Sequence, residues 1–282
     1  ERRERMIALL DAAAKVAGGE VTPDAFLVEE CAMLVEEPFV VPGTIDAKFL
    51  GLPEDVIVSV MRNHQRYLAV RDVATKKLLP TYLNVVGMAN DPETIARGND
   101  NVLRARLGDA RFFVEEDRKH TLESRIPRLD GIVFQAKLGT VGDKVRRIET
   151  LAAYVNETAG EGADARARLV QRAARLAKTD LVTFIVGEFP ELQGEMGRHY
   201  AALDGEPAEV CEAVRDHYRP AGADDSVAKS VVSASVAVAD RADTFVGCFA
   251  IKLVPTGSAD PFALRRAALG IVRTALEGPI DV

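Results

Sequence analysis

Two adjacent arginines stand in the stretch Gly257 to Gly270, GSADPFALRRAALG. Asp260 can accept backbone N–H groups as a helix cap, Pro261 suits a first helical position, and Leu264 and Ala268 continue an apolar face. Arg265 and Arg266 then fall in a first turn, where the helix macrodipole disfavours cations unless an anion is nearby. A second basic group spans Arg97 to Lys119, with Arg97, Arg104, Arg106, Arg111, Arg118 and Lys119 beside Phe112 and Phe113. Arg104, Arg111 and Arg118 recur every seven residues and share one helical face, a stripe able to track phosphates. The same side chains have acidic neighbours, Asp100, Asp109, Glu115 and Glu116, so salt bridging within or between helices is an equal reading. A third polar group, Asn63-His64-Gln65-Arg66-Tyr67, interrupts apolar runs and is expected at an exposed strand end or in a tight turn.

Other chemistries find little purchase. Gly139-Thr-Val-Gly142 is too short for a phosphate-cradling loop and lacks the Lys-Ser/Thr pair that follows one, so no nucleotide is expected to bind this chain by that route. The sequence has no Gly-x-Ser-x-Gly elbow, and His64, His120, His199 and His217 have no evident serine or cysteine partner; no catalytic residue is assigned. Cys31, Cys211 and Cys248 are odd in number and widely spaced, which suggests small buried side chains rather than disulfides or a metal knuckle. No apolar run approaches the roughly 20 residues of a membrane span, and no leader-like pattern opens the chain. A cytoplasmic protein without a membrane partner is expected, cut from the middle of a longer one. The formal charge of −7 opposes an all-round grip on nucleic acid, yet residues 91–147 carry 12 Lys and Arg against 10 Asp and Glu, so a local basic surface remains available.

The elements that must hold these residues change type along the chain. Helical periodicity over residues 2–17 and 21–35, the second capped at Thr22, gives way to short β-branched and aromatic runs at 39–45, 56–60, 67–70 and 82–86, which read as strands. From residue 91 the helical period returns: 92–98, 101–125, 137–159, 164–188, 206–218, 226–248 and 261–276. The expected fold class is α+β, a mixed module over residues 1–130 containing a basic helix at 97–125, then an all-helical domain over 131–282. Pro127 and Gly131 mark the boundary.

The ordered segments Asn99 to Phe113 (NDNVLRARLGDARFF), Gln135 to Lys144 (QAKLGTVGDK), Phe184 to Tyr200 (FIVGEFPELQGEMGRHY), Ala239 to Gly247 (ADRADTFVG) and Asp260 to Arg266 (DPFALRR) closely resemble the β subunit of the bacterial two-subunit glycyl-tRNA synthetase, over nearly the whole chain. The resemblance implies ATP-dependent attachment of glycine to tRNA, with ATP, Mg and the active site on the family's α subunit and none of them bound by this chain. The β subunit then binds glycine tRNA and completes the assembly, so the α subunit and the tRNA are the implied partners. It implies also that residues 1–130 are similar to a module of the phenylalanine enzyme's β subunit, which makes His64 and Arg66 candidates for RNA support beside Arg265, Arg266, Arg104, Arg106, Arg111, Arg118 and Lys119. The helical half resembles HD-type metal phosphohydrolases, with Lys144, Thr179, Asp180 and Asp240 standing where metal ligands would be. A protonated Lys repels a dication and a Thr hydroxyl is a weak ligand, so a degenerate site is expected in which Asp180 or Asp240 pairs with Lys144 and no metal is held. His199 and His217 are weak candidates for rescuing ligands. The alternative reading is a working HD-type phosphohydrolase acting on nucleotides or nucleic acid.

Overall fold

Met6, Leu10 and Ala14 recur at helical spacing, and all three are buried on α1 (Arg2–Val16), where they meet Leu27, Cys31 and Ala32 of α2 (Ala25–Leu34) and the sheet residues Leu68, Val70 and Leu83. This is the core of the first of two compact units in the computed structural model, which describes residues 1–280; the division falls between Glu116 and Asp117. The sheet is antiparallel, in the order β1 (Gly19–Val21), β3 (Leu68–Asp72), β4 (Leu78–Val86), β2 (Phe39–Thr44). Gly43 faces Tyr82 so closely that an added Cβ would lie 2.1 Å from the ring. The space its missing side chain leaves lets Tyr82 stack on Tyr67 at 4.3 Å and reach Asp100 with its hydroxyl at 2.8 Å. Asp100 also accepts the Thr44 N–H, which ties α4 (Pro92–Asp117) to the sheet edge.

Two expected elements of this unit are different. Residues 56–60 are not a strand: Pro53, Glu54 and Asp55 open a helix, α3 (Glu54–Ser59), that continues as a π-helical turn (Val60–His64) and buries Val56, Ile57, Val60 and Met61 on one side. The β-branched composition misleads there because the burial period is that of a helix. Strand β1 replaces the expected start of the second helix. The Thr22 N–H bonds to Ala69 instead of capping, and Asp24 is the cap, accepting from Leu27 N–H at 2.9 Å.

The second unit begins at Asp117, ahead of the 130/131 boundary expected from Pro127 and Gly131. The reason lies in Asp117 itself. Its buried carboxylate accepts the N–H groups of Phe184 and Ile185, both at 2.9 Å, together with the Tyr200 hydroxyl at 3.3 Å, and it pairs with buried Arg125 at 3.2 Å. The helix expected through 125 therefore ends at Asp117, and Thr121 caps a new short helix, α5 (Leu122–Arg125). A hairpin of β5 (Val133–Gln135) and β6 (Gly139–Thr140) then leads into α6 (Val141–Thr158), which starts at a Thr140/Asp143 capping box. The expected 164–188 helix is broken into α7 (Ala163–Leu176), a 3-10 turn (Thr179–Val182) and α8 (Phe184–Glu188). Then follow α9 (Glu195–Leu203), α10 (Ala208–Asp216), α11 (Val231–Ala250) and α12 (Leu264–Glu277). Helix α11 is the axis, packed against α6, α7, α10 and α12. Small Ala and Ser residues bury most of its surface and let the neighbours approach. The α+β class is as expected. All three cysteines are free and buried.

Removing the Asp117 carboxylate leaves two N–H groups and a buried guanidinium unpaired. Asp117→Ala should lose about 3–5 kcal/mol in chemical denaturation, and Asp117→Asn visibly less. Equal and small losses for both would show that the carboxylate does not organise the start of this unit.

Candidate functional site

Asp240, Asp243 and Thr244 sit at i, i+3 and i+4 on α11 and so share one face, which meets Lys144 and Arg147 of α6, spaced i and i+3. The Lys144 ammonium lies 2.9 Å from Asp240 Oδ1 and 3.1 Å from Asp243 Oδ2, and donates to Thr244 Oγ1 at 2.7 Å and the Asp240 carbonyl at 2.9 Å. Lys178, just beyond α7, reaches the other Asp240 oxygen at 2.7 Å and lies 4.0 Å over the Tyr218 ring. Arg147 holds Asp243 from the opposite side at 2.5 Å. Burial pushes the Asp240 carboxyl up, but Lys144 and Lys178 outweigh it and hold the group well below the ordinary carboxylate range. Burial acts the other way on Lys178, lowering its pKa against the pull of Asp240.

The expected pairing of Lys144 with an acidic partner thus falls on Asp240, and the structure separates the other two positions from it. Thr179 is wholly buried and spends its hydroxyl on the Leu176 carbonyl at 2.7 Å. Asp180 accepts the Gly194 N–H at 2.5 Å, and burial raises its pKa to about 6 against that bond. Among the described residues no group of three or more His, Cys, Asp or Glu has a metal-holding arrangement. The donor chemistry explains why a dication does not fit: both oxygens of Asp240 are within 3 Å of an ammonium, which fills the place a metal would need. Lys178, Arg147 and Asp243 are not evident from sequence alone. The i, i+3, i+4 spacing of 240, 243 and 244 is a signal that could have found the last of them.

Lys144, Lys178, Asp240 and Thr244 form one wall of a cavity of about 530 Å³. Phe134, Phe262, His217, Tyr218 and Arg266 complete most of it. Arg241 spans the floor, donating to the carbonyls of His217, Ala237, Tyr218 and Pro220 at 2.8–3.2 Å and so fixing the 217–220 segment. His217 is fully buried with Nδ1 2.8 Å from the Val214 carbonyl. His199 lies on α9, edge-on to Tyr200 at 5.8 Å.

The other sequence candidates are spread over both units. The pair Arg265 and Arg266 is split. Asp260 accepts Leu264 and Arg265 N–H at 2.7 and 3.0 Å, as expected of a cap, but the helix opens at Leu264 after Ala263 in a left-handed conformation, and Pro261 precedes it. That carboxylate already offsets the dipole. Arg265 bonds the Gly257 carbonyl at 2.7 Å, while Arg266 lines the cavity and has no hydrogen bond or ion pair among the described residues. In the first unit Arg104 contacts Asn101 and, at 3.6 Å, Asp46; Arg111 pairs with Glu115 at 3.5 Å and lies over Phe49. Arg106 is exposed and unpaired among the described residues. Arg118 and Lys119 fall beyond the end of α4, so the seven-residue stripe stops at Arg111. Both are exposed, and Arg118 is unpaired among the described residues. His64 ends the π-helical turn and Arg66, at φ +56°, bonds Glu30 at 2.6 Å, so the polar segment is a turn ahead of β3.

Asp240 neutralises two buried ammoniums, so Asp240→Asn should cost about 3–5 kcal/mol in denaturation experiments; a neutral result would mean that the lysines have other compensation. Asp180 has the opposite sense. Its folded-state pKa of about 6 exceeds the ordinary value of 3.8, so its contribution is full at low pH and is lost as pH rises through 6. The stability of the native chain relative to Asp180→Asn should therefore fall by about 1 kcal/mol between pH 5 and 7.5. A difference independent of pH would refute the burial effect.

The whole chain, residues 1–282, matches the family model described as glycyl-tRNA synthetase beta subunit. It is 51% identical over 279 residues to the glycine--tRNA ligase beta subunit of Phenylobacterium zucineum, aligning 98% of this chain with 42% of that protein. The Geobacter sulfurreducens protein of the same name is 46% identical over 277 residues, 98% of this chain and 40% of its own length, and a Neisseria meningitidis serogroup C protein is 43% identical over 283 residues, 100% and 40%. The chain spans about two fifths of the length of these relatives. With identity of this order running through both units, the chain belongs to the glycyl-tRNA synthetase β-subunit family.

Proposed function

We propose that this chain is the tRNA-binding and assembly portion of a cytoplasmic glycine–tRNA ligase, supporting ATP-dependent attachment of glycine to tRNA at an active site on the α subunit, where ATP and Mg are used. Family membership over the full chain carries the proposal. Three of the exposed arginines without a hydrogen bond or ion pair among the described residues support it: Arg106 on α4, Arg118 just after it and Arg266 on α12. An Arg fork held by no internal carboxylate is suited to a phosphate or a partner's carboxylate. Positioning a nucleic-acid substrate is itself a large rate factor, so a subunit without nucleophile or phosphate loop still contributes to catalysis. No helix among the described residues is long and apolar enough to cross a membrane. In this reading the helical unit is an HD-like scaffold whose dication has been replaced by the ammoniums of Lys144 and Lys178. The phosphohydrolase alternative has no donor set among the described residues to favour it.

In the full-length ligase, Arg106→Ala combined with Arg118→Ala should weaken tRNA binding. It should also flatten the dependence of log K on log salt by roughly 0.7–0.9 for each phosphate no longer held. Glycine-dependent pyrophosphate exchange should stay near the parent rate. An assembled double variant with unchanged tRNA affinity and salt slope would show that neither arginine contacts the RNA.

A further inference from the structure

Helix α12 carries apolar side chains on more of its circumference than the described fold buries. Leu264, Ala267, Gly270 and Thr274 are buried along one side, where Gly270 leaves room for the Arg241 side chain of α11. Arg266, Arg273 and Glu277 make a second, polar side, on which Arg273 pairs with Glu277 at 2.8 Å and donates to the Ala223 carbonyl at 2.8 Å. At 3.6 residues per turn the third side is Leu269, Val272 and Leu276, spaced i, i+3 and i+7. These three are 48%, 52% and 80% exposed.

A surface helix is polar away from its core side, and α12 is not. Single exposed aliphatic residues are ordinary, whereas three in line along one helix make a seam of the kind that packed helices bury between them. Rotating α12 to hide the seam would bring Leu264 and Ala267 out to water instead. The seam is also too small to hold a separate molecule. It offers three large side chains on one helix of 14 residues, where a stable interface between chains takes roughly 20–30 residues a side. Within one polypeptide the same contact forms at a high effective concentration and needs no such area. More polypeptide is on hand in the family: this chain aligns with 42% of the Phenylobacterium protein and 40% of the Geobacter protein, so more than half of either lies outside it.

We propose that the outer side of α12 is an internal docking seam, covered in the full-length β subunit by a helix from the part of that polypeptide outside this chain. The covering helix lays an apolar stripe of its own against Leu269, Val272 and Leu276, and so fastens the helical unit to the rest of the subunit. The occupant belongs to the same polypeptide and is neither the α subunit nor a second copy. Such a seam stands whether or not Arg106, Arg118 and Arg266 hold RNA.

Thiol labelling of Leu269→Cys and of Leu276→Cys, followed peptide by peptide in mass spectrometry, tests the cover, and the buried Cys31, Cys211 and Cys248 give little background. In this chain at low concentration both positions should react as exposed thiols, and in the full-length β subunit alone about tenfold more slowly. Equal rates in the two would overturn the proposal. So would protection that appears only with the α subunit added, that grows with protein concentration, or that this chain already shows alone. A second measurement is independent of thiol access. Leu269→Glu combined with Leu276→Glu should leave the melting of this chain unchanged, since both side chains already meet water, and lower that of the full-length β subunit by roughly 2–4 °C, since a carboxylate in an apolar seam is costly. The same shift in both proteins, or none in either, would also overturn it.

Discussion

The helical unit is organised by one carboxylate shared between two ammoniums. Asp240 takes Lys144 on one oxygen and Lys178 on the other, and by doing so joins α11, α6 and the segment after α7 at a single point. Three charges in a low-dielectric setting are expensive unless each finds an opposite within about 3 Å, which makes this geometry either right or severely wrong. The Asp243 bridge to Lys144 and Arg147 extends the same constraint one turn along α11. The result is a polar seam in a helix whose N-terminal half is Ala, Ser and Val.

The same seam determines the chemistry open to this part of the molecule. A dication and an ammonium compete for the same carboxylate, and the ammoniums are covalently tethered. The unit therefore keeps positive charge at the place without keeping a Lewis acid. Positive charge of that kind attracts anions. Arg241 contributes differently. Its guanidinium is consumed in holding four carbonyls, and this sets the 217–220 segment, with His217 and Tyr218, as the wall of the cavity.

Polar hubs recur at each junction. Asp100 receives Tyr82 and Thr44 where α4 meets the sheet, and Asp117 receives Phe184, Ile185, Tyr200 and Arg125 where the helical unit begins. Each is an acid whose sequence neighbours are ordinary helix residues. Their importance lies in backbone and hydroxyl donors 67 or more residues away for Asp117 and 18 to 56 away for Asp100, which explains why residue 117 rather than the Pro127 to Gly131 stretch opens the second unit.

Taken by itself, the sequence determined the family, the α+β class, the capping role of Asp260 and a second half that is helical apart from the unexpected β5–β6 hairpin, because these rest on local periodicity, on caps a few residues long and on an ordered set of segments. The resemblance also offered Asp180 or Asp240 as the partner of Lys144, and the structure decides for Asp240. Residues 56–60 read as strand, where β-branched composition masks a helical burial period, and β1 escapes notice because its three residues are defined only by pairing with β3. Tertiary structure alone decided which basic residues are spent and which are left. Arg104 and Arg111 find Asp46 and Glu115, Arg265 finds a loop carbonyl, and Arg106, Arg118 and Arg266 have no hydrogen bond or ion pair among the described residues. Charge is written in the side chain, but whether it is neutralised depends on what the fold brings within 4 Å, and that distance has no counterpart along the chain.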